Sequence, residues 1–294
     1  MIIGIGGGSI IDLAKALSAM LINEGKVEDY HGTGKPIKAA IKKIMIPTTA
    51  GTGSEVTPGA VLMNKDTKFK RAISGRCMSP DYAVLYAELT TTLPDEIIAS
   101  TGMDALAHSI ESYTSKNANE ITKMYSKRAF SLIFNNLSKI FRDKENIDLR
   151  EKVQLGSCLA GYAIYNSNTG ACHSMAYPLG IYNDIPHSIA VGCILPKVIR
   201  VNFEKGCHLY ADLYDLIEDK EKITNKSKKA ERFCSVLKNY YPMNYIDNSF
   251  RNYGINENNY RFLAERGLDL IPALSNNPTD FNLSDAIKVL RMLI

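Results

Sequence analysis

At Leu93-Pro94 the pattern of this chain changes, and that change constrains its fold more than any other feature. Before it, short apolar runs alternate with helical spacing. Met1–Ile5 and Lys43–Pro47 read as short buried strands, Ala60–Met63 and Lys70–Ile73 as a hairpin across residues 64–69, and Ala83–Tyr86 as a further strand. From Ser9 to Ile22 apolar residues recur at Ile10, Leu13, Ala14, Leu17 and Met20, the spacing of a helix, with Ser9 and Asp12 as its capping pair. Beyond Pro94 amphipathic patterns predict helices over roughly 95–115, 120–143, 149–172, 187–203, 206–217, 225–240, 257–270 and 283–293, with the Asn-rich 250–260 as loop and helix cap. Strands alternating with helices, then a run of helices, predict an α/β plus all-α fold: an α/β domain over 1–93 and a larger all-helical domain over 94–294.

Composition removes several classes of function. A length of 294 residues and 45% hydrophobic content suit a globular protein with room for two domains, and a net charge of +4 is too small to imply nucleic acid. The most charged stretch, 218–232, mixes signs and reads as a solvated surface. Six cysteines without a CxxC pair predict free thiols in a reducing compartment, hence a cytoplasmic protein. The apolar start is interrupted by glycines and followed at once by Asp12 and Lys15, unlike a signal peptide. No run reaches the ~18 apolar residues of a membrane span.

Two short runs hold most of the histidines. Asp104 and His108 are four apart, so on a helix they project from one face. His173 and His187 bracket a stretch containing Pro178, Gly180 and Pro186, expected to turn and bring the second histidine back towards the first. One carboxylate and three imidazoles suit a borderline divalent ion, iron or zinc. Taken singly, each has an ordinary explanation: a surface Asp–His pair, a core histidine in TGACHSMA, a helix-starting histidine after proline. Cys172 beside His173 reads as a small buried residue.

Two glycine-rich loops follow strands. GIGGGSIID sets Gly4, Gly6, Gly7 and Gly8 between a strand and a helix, where free amides and the helix dipole attract a diphosphate; a tight strand-to-helix turn is the plain alternative. TTAGTGSE, residues 48–55, is a second loop whose hydroxyls and amides suit the same phosphates or a nicotinamide ribose. Both lie at the carboxyl ends of strands, where open α/β sheets bind ligands.

GGGSxxDxAK (Gly6 to Lys15), IPTTAGTGSEVT (46–57), ELTxTLP (88–94), GxDALxHxIExY (102–113) and HxxxYPLGxxxxxPH (173–187) resemble, in that order, the iron-containing alcohol dehydrogenases, a family grouped with glycerol dehydrogenase and dehydroquinate synthase. A later SNNPTD looks like that family's TNPR segment. The resemblance implies a dinucleotide-binding α/β domain followed by a helical metal domain, with the reaction between them. It implies Asp104, His108, His173 and His187 as ligands of Fe2+ or Zn2+. Gly6, Gly7, Gly8 and Ser9 match its pyrophosphate loop, and Thr48, Thr49 and Thr52 its second cofactor loop. Lys70 falls near where the family places a lysine beside NAD or NADP.

The chain departs from the family in three places. It begins at the glycine loop, so the first part of the nucleotide-binding domain is expected to be lacking. Tyr177 stands where many relatives have a proton-relaying histidine; its hydroxyl can still donate a hydrogen bond to substrate, though its high pKa makes it a poor base. Ser188 replaces a glycine. The expected function is hydride transfer between NAD(P)(H) and a small alcohol or aldehyde, in a homo-oligomer without nucleic-acid or membrane partners. The alternative is a truncated, redox-inactive metal-binding module, or a fragment needing a partner chain. Metal-assisted hydrolysis is disfavoured by the glycine loops.

Overall fold

The computed structural model describes the chain apart from residues 33–36, 64–69 and 247–249 and the side chain of Lys70. Strand β1 (Ile2–Gly6) runs into helix α1 (Gly8–Met20). Then come β2 (Lys43–Pro47), the antiparallel pair β3 (Gly59–Met63) and β4 (Lys70–Ser74), and a two-residue β5 (Tyr82–Ala83). β1, β2 and β5 form a parallel sheet in that order, with Gly6 opposite Pro47 and Met45 opposite Ala83. Parallel pairing brings the ends of β1 and β2 side by side, so the loops that follow them start as neighbours.

The remainder is helical. α2 (Asp95–Thr114) is buried on all sides from Gly102 onwards. It tolerates this because its small residues let neighbours approach and its hydroxyls bond locally, Ser109 Oγ to the Leu106 carbonyl and Thr114 Oγ1 to that of Ile110. α3 (Glu120–Ile140) and α4 (Ile147–Ser167) pack beside it, capped by Asn119 and Asn146. α5 (Ala171–Tyr182) and α6 (His187–Glu204) close the other side. α7 (Tyr210–Tyr214), α8 (Lys226–Lys238), α9 (Tyr260–Leu268), α10 (Ile271–Leu274) and α11 (Leu283–Arg291) complete the bundle. Met103, Leu106, Phe130, Leu137, Met175, Ile194 and Phe233 belong to one continuous core. The α/β-plus-helical architecture is the expected one. No helix among the described residues is long and apolar enough to cross a membrane.

Several local expectations fail. The helix expected over 149–172 ends at Ser167, before Asn168 at φ 64°, and most of the stretch 173–187, expected to turn, is helical, with α5 running through Pro178 and Gly180 to Tyr182. The turn is confined to 183–186, around Asp184 at φ 54°. Pro178 lies inside α5, where it forgoes one hydrogen bond of the helix. The helix expected over 206–217 shrinks to α7, and the strand 83–86 to β5. Asn259 does not cap α9; its side chain bonds within the preceding loop. Ser9 and Asp12 do not cap α1, which begins after Gly7 with no side-chain cap. Asp12 instead accepts from Ser54 Oγ at 2.5 Å and from the Val61 amide at 2.9 Å.

Candidate metal and nucleotide site

Asp104 and His108 sit one turn apart in the buried middle of α2. His173 is in the first turn of α5 and His187 is the first residue of α6. All three imidazoles turn Nε2 towards Asp104 Oδ1, at 3.9 Å for His108, 3.4 Å for His173 and 4.0 Å for His187. Donors about 2.1 Å from a tetrahedral ion lie roughly 3.4 Å from one another. Asp104, His108 and His173, whose donor atoms all lie within 4.8 Å of one another, come near such a shell, and His187 approaches it through Asp104. Asp104, His108 and His173 are buried, whereas His187 is 42% exposed at its side chain and forms the open side of the cluster. The rings of His108 and His173 stack with centroids 4.5 Å apart.

The far nitrogens are spoken for. His108 Nδ1 lies 3.2 Å from the Gly51 carbonyl, and His173 Nδ1 lies 2.5 Å from Glu111 Oε2. A carbonyl accepts only, so His108 carries its proton on Nδ1 and leaves Nε2 as a lone pair. Asp104 Oδ1 and His173 Nε2 are buried without any hydrogen-bond partner. A carboxylate oxygen and an imidazole nitrogen facing each other at 3.4 Å without a hydrogen bond are costly unless a proton or a cation lies between them. Burial works against charge on Asp104, but the combined fields of His108, His173 and His187 outweigh it and hold the carboxyl well below the usual range. Burial pushes His108 down, while Glu111 and Asp104 overcome burial and push His173 up. The donor set fits a divalent cation of the iron or zinc kind.

Cys172 is fully buried, its Sγ facing the Val191 carbonyl at 3.5 Å, and burial pushes its thiol well up. It lies within reach of the cluster beside Glu111 and His173, but as a neutral thiol it is a poor ligand. Tyr177 lies one turn after His173 on α5, half-buried, its phenol pushed up by burial with Arg71 in range.

The glycine loops meet. The Thr48 amide donates to the Gly6 carbonyl at 3.0 Å. A Cβ on Gly7 would come 3.5 Å from Thr49, and one on Gly8 would strike Thr52 at 2.5 Å. Ser9 is exposed at the start of α1, whose uncapped first turn presents amides where a phosphate is expected. Lys70 lies at the start of β4, but its side chain falls outside the described residues. Gly51 of the second loop supplies the carbonyl that holds His108, so the second glycine loop touches the Asp104–His108–His173 cluster directly. Gly53, at φ 62°, brings that loop against α4, where a Cβ would fall 2.5 Å from Gly161 Cα.

Sequence reasoning missed Glu111, Asp12, Lys15 and Glu55. Lys15 is fully buried and donates to the carbonyls of Ser54, Thr57 and Gly59 while pairing with Asp12 at 3.1 Å. Burial pushes Glu55 up to about 7 despite Lys15 nearby. Each of these residues was present in a quoted motif, but Asp12 read as a helix cap, and a charged residue such as the other three reads as solvated until the fold buries it.

The chain is 34% identical over 278 residues to 1,3-propanediol dehydrogenase of Klebsiella pneumoniae, covering 94% of this chain and 71% of that protein. It superposes on a solved 1,3-propanediol oxidoreductase with a TM-score of 0.93 at 31% identity, over 99% of this chain and 76% of that one. It also superposes on sulfoacetaldehyde reductase from Bifidobacterium kashiwanohense in complex with NAD+, with a TM-score of 0.86 at 29% identity, over 99% and 75%. Residues 1–87 match the family model for iron-containing alcohol dehydrogenase, and residues 98–294 match that for the C-terminal part of the Fe-containing alcohol dehydrogenase family. With both models matched in sequence order, the chain belongs to the iron-containing alcohol dehydrogenase family.

Proposed function

We propose that this chain is an iron-dependent alcohol dehydrogenase that moves a hydride between NAD and a small alcohol or aldehyde. The observation that carries it is the hydrogen bond between the Gly51 carbonyl and His108 Nδ1, which joins the second glycine loop to the histidine cluster. When bound, the ion would supply Lewis acidity to an alcohol oxygen and the nicotinamide would carry the hydride. Asp104, His108, His173 and His187 hold the ion; with a single carboxylate among them, ion and site together keep a positive charge for an anionic oxygen. Gly6, Gly7, Gly8 and Ser9 cradle the diphosphate, and Thr48, Thr49 and Thr52 line its other side, with Lys70 beside the cofactor. Tyr177 orients the substrate oxygen by donating its phenol proton in a hydrogen bond. Its raised pKa keeps that proton in place.

Iron is preferred to zinc, and NAD to NADP, from the family and from the NAD+ complex of the reductase it resembles. The same reading divides the chain into a nucleotide unit, 1–93, and a catalytic unit, 94–294. Six free cysteines, five of them buried, suit the cytoplasm. Exposed apolar residues on β1 and α1 suit a homo-oligomer.

The test is direct. Metal-free protein is reloaded anaerobically with Fe2+ and titrated with NADH and NADPH by nicotinamide fluorescence, and alcohol oxidation is then followed with short alcohols and 1,3-propanediol. Binding and turnover are expected. Retention of the metal with no binding at millimolar cofactor would replace this reading with a redox-inactive metal module.

A further inference from the structure

We infer that Glu111 is the positioning residue of the metal cluster, holding His173 with its proton on Nδ1 so that Nε2 faces Asp104. This rests on the metal reading above, and it names a residue outside the four donors.

Glu111 lies on α2 seven residues after Asp104 and three after His108, so one helix face presents a donor carboxylate, a donor imidazole and this third group. Both its oxygens are engaged. Oε2 takes His173 Nδ1 at 2.5 Å, and Oε1 accepts the Cys172 amide at 2.7 Å. The carboxylate therefore grips the ring and the backbone next to it, fixing both the rotation of the imidazole and the entry of α5. Helix α5 needs this grip because its N-cap, Gly170, has no side chain to offer. A Cβ there would fall 2.9 Å from Glu111 Oε1, so a larger residue would press on the carboxylate. The adjoining Ala171 amide points at Asn277 Oδ1, 3.4 Å away. Asn277 in turn donates to Asn202 Oδ1 and the Thr279 carbonyl, each at 2.8 Å. The first turn of α5 is thus held from outside by Glu111 and by the SNNPTD segment, a role for that segment that its sequence does not reveal. An anionic partner on Nδ1 also makes Nε2 a stronger donor, as carboxylate–histidine–metal arrangements do.

Co2+ is the probe, because it reports its ligands in visible absorption. Metal-free wild type, Glu111→Gln and Gly170→Ala are titrated with Co2+, and their folding is compared by circular dichroism and thermal melting without metal. A glutamine offers one acceptor oxygen for two N–H groups, so E111Q is expected to bind Co2+ about 10–100-fold more weakly with an altered spectrum. G170A should shift the same way by displacing the carboxylate. Co2+ affinity within twofold of wild type in E111Q overturns the inference. Should that variant not fold, zinc-loaded wild type decides through long-range proton–nitrogen spectra. A proton on His173 Nδ1 supports the inference, and metal bound through Nδ1 overturns it. Failure of wild type to bind Co2+ at all would instead remove the metal centre itself.

Discussion

An imidazole commits one nitrogen to a cation only when the other is held, and the cluster differs residue by residue in how well this is done. His108 and His173 are buried and anchored at Nδ1, whereas His187 is 42% exposed and begins its helix. Losing Asp104 should therefore hurt more than losing His187. Asp104→Ala is expected to abolish metal retention through dialysis. His187→Ala should weaken affinity by at least about 10-fold, the lower end of the effect of a single outer-shell partner, while keeping some metal. Metal analysis after dialysis checks both, and undiminished retention in H187A would take His187 off the donor set. The Asp104–His108 pair was legible because i,i+4 spacing needs no knowledge of the fold. His173 and His187 were legible only as companions, since the turn that joins them is shorter than Pro178 and Gly180 suggest. Glu111 was invisible: a carboxylate on a helix is ordinary until α5 and α6 cover it.

At the scale of elements, the second glycine loop is held by α1 rather than by itself. Lys15 Nζ gathers three backbone carbonyls between Ser54 and Gly59, and Asp12 takes Ser54 Oγ and the Val61 amide. Lys15→Met leaves Asp12 and those carbonyls without their cation, a loss of about 3 kcal/mol by analogy with broken buried pairs. The melting temperature should fall, and hydrogen exchange should quicken first at residues 54–59; uniform quickening would deny the loop this strut. Glu55 gives a pH signature. Burial raises its carboxyl from 4.5 to about 7, so between those values the folded chain holds a proton that the unfolded chain releases. Stability should then fall as pH rises from 4.5 to 7. Each pKa unit is worth about 1.4 kcal/mol, making the full swing on the order of 3 kcal/mol. Glu55→Gln should flatten this slope in denaturant titrations across the window, and an unchanged slope would assign it to other groups. The sequence offered Ser9 and Asp12 as a cap because both have capping chemistry. The actual use of Asp12 depends on β3 lying alongside α1, a contact between segments some fifty residues apart.

Across the whole molecule, the helical bundle encloses a continuous core, while the sheet and its helix leave a run of apolar residues exposed. Tyr210, Tyr214, Phe130 and Phe233 are enclosed in the bundle, whose surface still shows Ile121, Met124 and Phe262. On the sheet side Ile3 and Ile5 on β1 are 53% and 55% exposed, and Ile10, Leu13 and Leu17 on α1 and Leu21 just after it are between 46% and 58% exposed. Among the described strands β1 pairs on one side only, and a parallel sheet is normally covered on both faces. The period-2 and 3.6 patterns were legible in these residues, but which of their faces would be buried was not, because that depends on what packs against them. An apolar face of this kind drives association more strongly than scattered surface leucines do. The chain is expected to bind a hydrophobic dye and to sediment as a concentration-dependent oligomer. Leu13→Lys with Leu17→Lys puts two charges in the middle of the face, on the side of α1 turned away from Lys15 and the loops. That pair should shift sedimentation towards the monomer and reduce dye binding while the metal content stays at the wild-type level. If the double variant sediments as the wild type does, association runs through another surface and this face has some other cover.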